Sequence, residues 1–116
     1  MAERTAQHLA GVYGARAGAV AELMRADPSL AEPMQPDLPY VWAEVAFAAE
    51  EELAQTVEDV LVRRVPLMLV GLDQGLDVAE RTADILAERL GWSAQRRLQD
   101  IDRYARAVAD SRRFRT

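Results

Sequence analysis

The sequence predicts an all-α fold, a compact bundle of five to six helices with no substantial sheet. Alanine, leucine, glutamate and arginine, which all favour helices, dominate its long stretches. Apolar residues recur there at spacings of three and four, as on one face of a helix, and proline and glycine separate the stretches. Half of the 116 residues are hydrophobic, which suffices for one core, so we expect a single domain over residues 1–116.

The first two helices are predicted on either side of Gly14. One covers about residues 4–13 and the other about residues 15–25. The second must end before Pro28, because a residue that precedes proline is disfavoured in the α region. The side chains expected on their apolar faces are Leu9, Val12, Tyr13, Val20, Leu23 and Met24.

A proline-rich connector over residues 27–39 leads to the third predicted helix. This helix is expected to begin near Pro39 and Tyr40, since proline suits the first helical turn, and to run to about Leu53. The residues expected to form its buried stripe are Trp42, Val45, Ala46, Ala49 and Leu53.

The fourth predicted helix covers residues 57–64. Thr56 to Asp59 resembles a capping box, with aspartate in place of the usual glutamate. Arg63 and Arg64 close the helix, where positive charge suits the negative end of the dipole. The apolar run at 66–70 predicts either a short strand or a buried helical turn.

Two further helices complete the predicted bundle. One runs from about Leu76 to Leu90 with Gly91 as its C-cap. The last covers about residues 94–112 and is capped by Ser93. The side chains expected to face inward are Val78, Thr82, Ile85, Leu86 and Arg89 on the former, and Ala94, Leu98, Ile101, Ala105 and Val108 on the latter.

Composition argues against several kinds of function. The chain has no cysteine, so disulfides and thiolate metal sites are excluded, and its one histidine, His8, is poor evidence for a metal site. The net charge of −5 disfavours binding to nucleic acid, and no apolar run is long enough to span a bilayer. Gly11 and Gly14 follow a helical pattern rather than a strand, so we expect no dinucleotide-binding loop.

Charged residues are distributed unevenly. Residues 1–60 hold 11 acidic and 3 basic side chains, whereas residues 61–116 hold 8 acidic and 11 basic ones. The densest acidic patch is Glu50 to Glu52 with Glu58 and Asp59, for which a solvated helix end is favoured over a cation site. The arginines of the last helix alternate with aspartates, which favours ordinary surface pairs over a membrane or nucleic-acid surface.

Several ordered motifs together resemble a known family. They are Tyr13-Gly14 through Asp27-Pro28, Leu38-Pro39-Tyr40, Ala43-Glu44-Val45 with Phe47-Ala48, Glu51-Glu52, Glu58-Asp59-Val60-Leu61 with Arg63-Arg64, Asp73-Gln74-Gly75-Leu76, Ala87-Glu88-Arg89-Leu90-Gly91-Trp92, and Tyr104. From about His8 to Val108 the chain resembles the C-terminal domain of FAD-dependent glycerol-3-phosphate dehydrogenases and of the related alpha-glycerophosphate oxidases.

The resemblance implies a parent enzyme that oxidises sn-glycerol 3-phosphate to dihydroxyacetone phosphate. A hydride passes to FAD, and the electrons usually continue to membrane quinone. In that family the flavin and substrate sites lie in preceding domains, so no catalytic, cofactor-binding or metal-binding residue is expected in this chain. The implied location is the cytoplasm, with the parent peripheral on the cytoplasmic face of the inner membrane.

The implied role of the chain is structural, with the flavin and substrate domains of the parent as its partners. We expect a charged network of Glu44, Glu51, Asp59, Arg63 and Arg64 to fix helix packing or to dock the parent body. An exposed docking face would also make the isolated chain self-associate. The alternatives are a stand-alone helical interaction module, the same domain of an oxygen-using oxidase, and a small helix-turn-helix regulator, which the acidic charge disfavours.

Overall fold

The computed structural model describes residues 3–113, apart from the side chains of Val70 and Leu72. Within that range the only β-pairing is an isolated antiparallel bridge between Pro33 and Val41, so the all-α prediction is confirmed. The six α-helices of the described range are α1 (Glu3–Tyr13), α2 (Ala17–Ala26), α3 (Ala43–Glu51), α4 (Leu67–Val70), α5 (Ala79–Leu90) and α6 (Ala94–Arg113). Tighter 3₁₀ turns cover Gly14–Arg16, Pro28–Ala31 and Leu72–Val78, and a π-helical segment covers Asp59–Arg64.

Helix α3 is the centre of the fold. Every side chain from Ala43 to Ala49 is buried, and α3 packs against α2 and against α5. A helix that is buried on all sides requires neighbours on all sides, and the alanines of α3 let those neighbours approach closely. Helix α1 packs on α2, and α6 packs on α5. The radius of gyration of the Cα atoms is 13.9 Å.

The predicted start of α3 was wrong, since the helix begins at Ala43, later than the proline signal indicated. The backbone before it is paired with the proline-rich connector. The amide of Met34 donates to the carbonyl of Tyr40 at 2.9 Å, and the amide of Trp42 donates to that of Glu32 at 3.2 Å. These bonds keep the segment extended, and a local rule for proline cannot anticipate such a partner.

The end of α3 also differs from the prediction, because Leu53 is 80% exposed rather than buried. The amide of Ala54 donates to the carbonyl of Ala48 at 3.0 Å, which closes the helix with a turn that requires a left-handed residue just before Ala54. Leu53 occupies that position with φ +60°, a conformation normally left to glycine. The turn therefore points the chain away from the face that helical periodicity predicted.

The predicted fourth helix exists as the π-helical segment. Its amide-to-carbonyl bond from Val65 to Val60, 2.7 Å long, spans five residues instead of four. The amide of Asp59 donates to Oγ1 of Thr56 at 2.9 Å, as the capping box predicted. The Asp59 carboxylate, however, accepts from the amide of Gln55 at 3.0 Å, one residue earlier than in a standard box.

The fifth helix is regular only from Ala79. A turn with positive φ at Asp73, Gln74 and Gly75 precedes it, so the predicted start near Leu76 falls in irregular backbone. The run at 66–70 forms a helical turn, α4, which confirms one of the two alternatives for that run. The C-cap at Gly91 is confirmed by its left-handed φ of +71°.

The inward face of α6 differs from the predicted seam. The cap is confirmed, since Oγ of Ser93 accepts from the amide of Arg96 at 3.0 Å. The buried face, however, includes two polar side chains, Asp100 and Tyr104, whose hydrogen-bond partners lie far away in the sequence. Of the residues predicted to face the core, Ala94, Leu98 and Ala105 are exposed on this helix and Val12 is exposed on α1, whereas Ile101 is half-buried and Val108 is buried.

Candidate functional site

Glu44 places a carboxylate inside the core, with 1% of the residue exposed. Its Oε2 accepts a hydrogen bond from the amide of Val41 at 2.8 Å. Its Oε1 accepts from the hydroxyl of Tyr13 at 3.0 Å and lies 2.9 Å from Nε2 of His8. A buried carboxylate is tolerated only with such partners, because losing its hydration is costly. Glu44 therefore ties α1 to the start of α3.

Aromatic rings enclose this carboxylate. Tyr13 meets Phe47 edge-on at a centroid distance of 5.3 Å, and His8 meets Tyr40 in the same way at 5.0 Å. Burial, followed by the charge and the hydrogen bond of Glu44, raises the pKa of the Tyr13 hydroxyl. Burial and Glu44 also raise the pKa of Tyr40. Tyr13 thus stays a protonated donor at neutral pH, which suits a structural hydrogen bond rather than acid–base chemistry.

An open pocket of about 400 Å³ lies beside this cluster, where the end of α1 meets the π-helical segment. We call it the arginine pocket. Glu52 is held between two guanidinium groups, with Oε2 3.8 Å from Arg16 and 3.6 Å from Arg64. Arg64 also donates to the carbonyl of Glu52 at 3.3 Å, and the guanidinium of Arg16 lies 4.7 Å from the ring centre of Phe47. The pocket is lined by Val12, Tyr13, Arg16, Glu52, Arg63 and Arg64.

Arg63 and Arg64 of the predicted charged network line one pocket, but the structure pairs neither of them with a predicted carboxylate. Glu44 is bound by His8, by the hydroxyl of Tyr13 and by the amide of Val41 rather than by arginine. Glu51 is exposed and makes no hydrogen bond or ion pair within the part of the chain that the structure describes. Glu52 pairs with Arg64 instead. Helix α3 ends at Glu51, so helical periodicity does not predict the direction of the side chains that follow. That pair is partly exposed and is worth about 0–1 kcal/mol.

The other two members of the predicted network have separate surroundings. The carboxylate of Asp59 accepts a hydrogen bond from the amide of Gln55 and contacts no arginine of the described chain. Arg63 is exposed and lines the arginine pocket. The sequence reasoning missed Tyr13 and Arg16, because each contributes through a contact more than 30 positions away. Glu51 and Glu52 are adjacent in the sequence, and this was the one signal that could have suggested Glu52 as the partner of Arg64.

The chemistry that the described residues offer at this site is recognition of oxygen anions by arginine. No three His, Asp or Glu side chains among them are grouped to hold a metal ion. None of the described helices is both long and apolar enough to cross a membrane. What the arginine pocket offers is a set of planar donors that match carboxylate or phosphate oxygens.

Comparisons with known proteins identify the family of this chain. A family model described as the C-terminal domain of alpha-glycerophosphate oxidase matches residues 1–97. A glycerol-3-phosphate dehydrogenase of Synechocystis sp. is 35% identical over 98 residues, which are 84% of this chain and 18% of that protein. Glycerol-3-phosphate dehydrogenase 2 of Mycobacterium tuberculosis is 36% identical over 97 residues, 84% of this chain and 16% of its own length.

The similarity extends beyond bacteria. A protein of Caenorhabditis elegans named as a probable mitochondrial glycerol-3-phosphate dehydrogenase is 31% identical over 109 residues, 90% of this chain and 15% of its own length. The search of solved structures returned no match. The chain thus spans less than a fifth of each of these relatives. It belongs to the family described as the C-terminal domain of alpha-glycerophosphate oxidase.

Proposed function

We propose that this domain is an accessory part of an FAD-dependent enzyme that oxidises sn-glycerol 3-phosphate to dihydroxyacetone phosphate. The observation that carries the proposal is the extent of the match: relatives named glycerol-3-phosphate dehydrogenase cover 84% of this chain with only 16–18% of their own length. The remaining domains of such a parent supply the flavin and substrate sites. This chain packs on them and stabilises them, and it is not catalytic alone.

The residues of this chain do not fit FAD. Gly11 lies inside α1, and Gly14 lies in the turn between α1 and α2. A dinucleotide-binding loop joins a strand to a helix so that its glycines can approach the pyrophosphate. The proposal therefore assigns the cofactor to the parent's other domains and assigns no cofactor-binding residue to this one.

A reconstitution experiment tests the accessory role. The catalytic body is expressed without this domain, and glycerol-3-phosphate-dependent dye reduction is measured with and without added chain. We expect no activity from the chain alone, and a gain in the activity or melting temperature of the body when the chain is present. A matched reaction with an equal mass of serum albumin controls for nonspecific protein. A body that is fully active, fully stable and unable to bind the chain contradicts the proposal and favours an independent interaction module.

A second candidate is the oxidase, because the matching family model is described by alpha-glycerophosphate oxidase. The two enzymes differ in the acceptor for the flavin electrons, which is quinone in one and oxygen in the other. The test is to supply the full-length enzyme with glycerol 3-phosphate under air, and in parallel with a soluble quinone analogue without oxygen. Hydrogen peroxide formed in proportion to substrate identifies the oxidase, and quinone reduction without peroxide identifies the dehydrogenase.

We further propose that the parent works in the cytoplasm, attached to the periphery of the inner membrane, since a quinone acceptor is dissolved in the lipid. Cell fractionation tests this location. We expect the enzyme in the membrane fraction and its release by a high-salt or carbonate wash. Recovery only after detergent extraction contradicts peripheral attachment.

A further inference from the structure

We infer that the arginine pocket, together with the apolar side chains around it, is the surface through which this domain contacts the catalytic body of its parent. The matching surface of the body carries carboxylates with apolar groups beside them. This inference rests on the proposed function and names the contact that the proposed function requires. We call the surface the arginine face. Val12, Arg16, Arg63 and Arg64 line its pocket, and the exposed Leu53 and Val62 adjoin Glu52 and Arg63 along the chain.

The charge of the arginine face is unbalanced within the domain. Three guanidinium groups line the pocket and a single carboxylate, Glu52, faces them. Its two ion pairs are long, at 3.6 and 3.8 Å, so most of the five donors on each guanidinium remain available. The chain as a whole carries a net charge of −5, and the positive charge here is therefore a local feature. Arginine forks of this kind fit carboxylates that approach from outside.

Two of the three arginines are also held in place before any partner arrives. Arg16 lies over the ring of Phe47, and Arg64 is fixed by both the carboxylate and the carbonyl of Glu52. Side chains that are already ordered lose less freedom when they bind. Their spare donors therefore point to a recognition surface rather than to a solvated charge cluster.

Leu53 gives an independent argument. It adopts a left-handed backbone with φ +60°, which is disfavoured for any residue with a bulky side chain. The side chain is 80% exposed, so the fold gains no burial in return. The left-handed turn closes α3, but it does not require leucine, and strained backbone is found preferentially at functional positions. Glycine or asparagine would suit this turn better unless the leucine contacts something outside the domain.

Two more apolar side chains extend this surface. Val12 is exposed and lines the arginine pocket, and Val62 is exposed and directly precedes Arg63. Leu53 itself follows Glu52, whose carbonyl accepts the bond from Arg64. An interface with arginine and apolar anchors at its centre is typical of protein contacts.

The rest of the parent chain is the partner that the observations favour. This chain spans 16–18% of its bacterial relatives, so a much larger polypeptide accompanies the domain in each of them. A segment of the same chain is present at high effective concentration and needs no separate encounter. A second copy of this domain is a weaker partner than the body, because it would place two positively charged pockets against each other, and it contacts this face only when the body is absent.

Hydroxyl-radical footprinting of leucine side chains tests the contact directly. Oxidation of Leu53 is compared between the full-length enzyme and this chain at a dilution where the chain is monomeric, with Leu98, which is 62% exposed on α6, as the matched control. We expect oxidation of Leu53 to fall severalfold in the full-length enzyme while oxidation of Leu98 is unchanged. Protection of Leu98 or Leu69 without protection of Leu53 overturns this inference and leaves the proposed function intact. If no leucine is oxidised less in the full-length enzyme than in this chain, both the inference and the proposed function fail.

Charge reversal tests the acidic partner. Arg63→Glu is introduced into the full-length enzyme beside Arg103→Glu, an exposed arginine of α6 that serves as the control. Losing one arginine anchor weakens such contacts by about tenfold. We therefore expect Arg63→Glu to restore the oxidation of Leu53 and to raise proteolysis between domain and body, whereas Arg103→Glu changes neither. If Leu53 stays protected in Arg63→Glu, the partner surface is not acidic and the inference fails.

Discussion

Asp100 on α6 accepts a hydrogen bond from the backbone amide of Val57, 43 positions earlier in the chain, at 2.7 Å. The amide of Val57 lies in the helical turn that leads into the π-helical segment. The first amides of a helix have no carbonyl partner within the helix. A helix usually receives such a cap from its own flanking residues, but here a distant helix supplies it. Both groups are buried, and the bond fixes α6 against the segment that carries Arg63 and Arg64.

Replacement of Asp100 by alanine should therefore destabilise the domain. Leaving the amide of Val57 buried without an acceptor should lower the free energy of unfolding by about 1–3 kcal/mol. Asp100→Asn keeps an acceptor and should lose less. Urea unfolding followed by circular dichroism measures the effect. Asp102→Ala, an exposed neighbour on the same helix, is the control, and equal stability of the two alanine variants would contradict the cap.

Removal of the Glu44 carboxylate should have a larger effect. Glu44→Ala leaves the hydroxyl of Tyr13 and the amide of Val41 without their acceptor inside the core. We expect the free energy of unfolding to fall by about 2–5 kcal/mol, with a smaller loss in Glu44→Gln. Thermal melts of these variants should be compared with Glu88→Ala, which removes an exposed carboxylate. A Glu44→Ala melt that matches the Glu88→Ala melt would show that the cluster does not hold α1 in place.

Replacement by alanine should change the stability of the domain in opposite directions at two glycines. A Cβ at Gly75 would lie 2.8 Å from the hydroxyl of Tyr104, and φ there is +80°. Gly75→Ala should therefore destabilise the domain by about 1–3 kcal/mol. A Cβ at Gly18 in α2 meets no atom within 4 Å, so Gly18→Ala should stabilise the helix by up to about 1 kcal/mol. Chemical denaturation of both variants checks the pair, and a shared sign would refute the analysis of the turn at Gly75.

The stability of the domain should decrease in alkaline solution. Burial raises the pKa of Tyr13 and of Tyr104 above the ordinary value of 10.0. The folded chain then binds more protons than the unfolded chain above about pH 10, so the free energy of unfolding falls as pH rises through that range. Below pH 10 both states are protonated at these groups and the contribution is fully present. Denaturation between pH 9 and 11 should show a shallower decline in Tyr13→Phe, whereas an unchanged slope would exclude Tyr13 as a cause.

The isolated chain should self-associate when the catalytic body is absent. Leu53 and Val62 leave apolar surface exposed on the arginine face, and such surface is rarely left bare in soluble monomers. Light scattering over a range of concentrations should show a mass that grows with concentration. Leu53→Asn should reduce this growth more than Leu98→Gln does. A constant monomer mass for the unmodified chain would contradict the prediction.

The sequence by itself determined the local features of this protein. Helix-forming composition and periodic apolar residues predicted the all-α class. The hydroxyl of Ser93 and the left-handed backbone of Gly91 act on neighbouring residues, so both caps were predicted as well. The ordered motifs also identified the family that the comparisons show. All of these signals arise within a few residues of the chain, where propensity and capping are decided.

Only the tertiary structure decided which polar groups are inside and which apolar groups are outside. Asp100 and Tyr104 are buried because their partners, an amide and a carbonyl, come from segments at least 30 positions away. Leu53 is exposed because a left-handed turn ends α3 before the predicted stripe is complete. Glu52 rather than Glu51 reaches the arginines for the same reason. The burial of a side chain depends on distant partners and on the direction of the backbone, and neither is encoded in local periodicity.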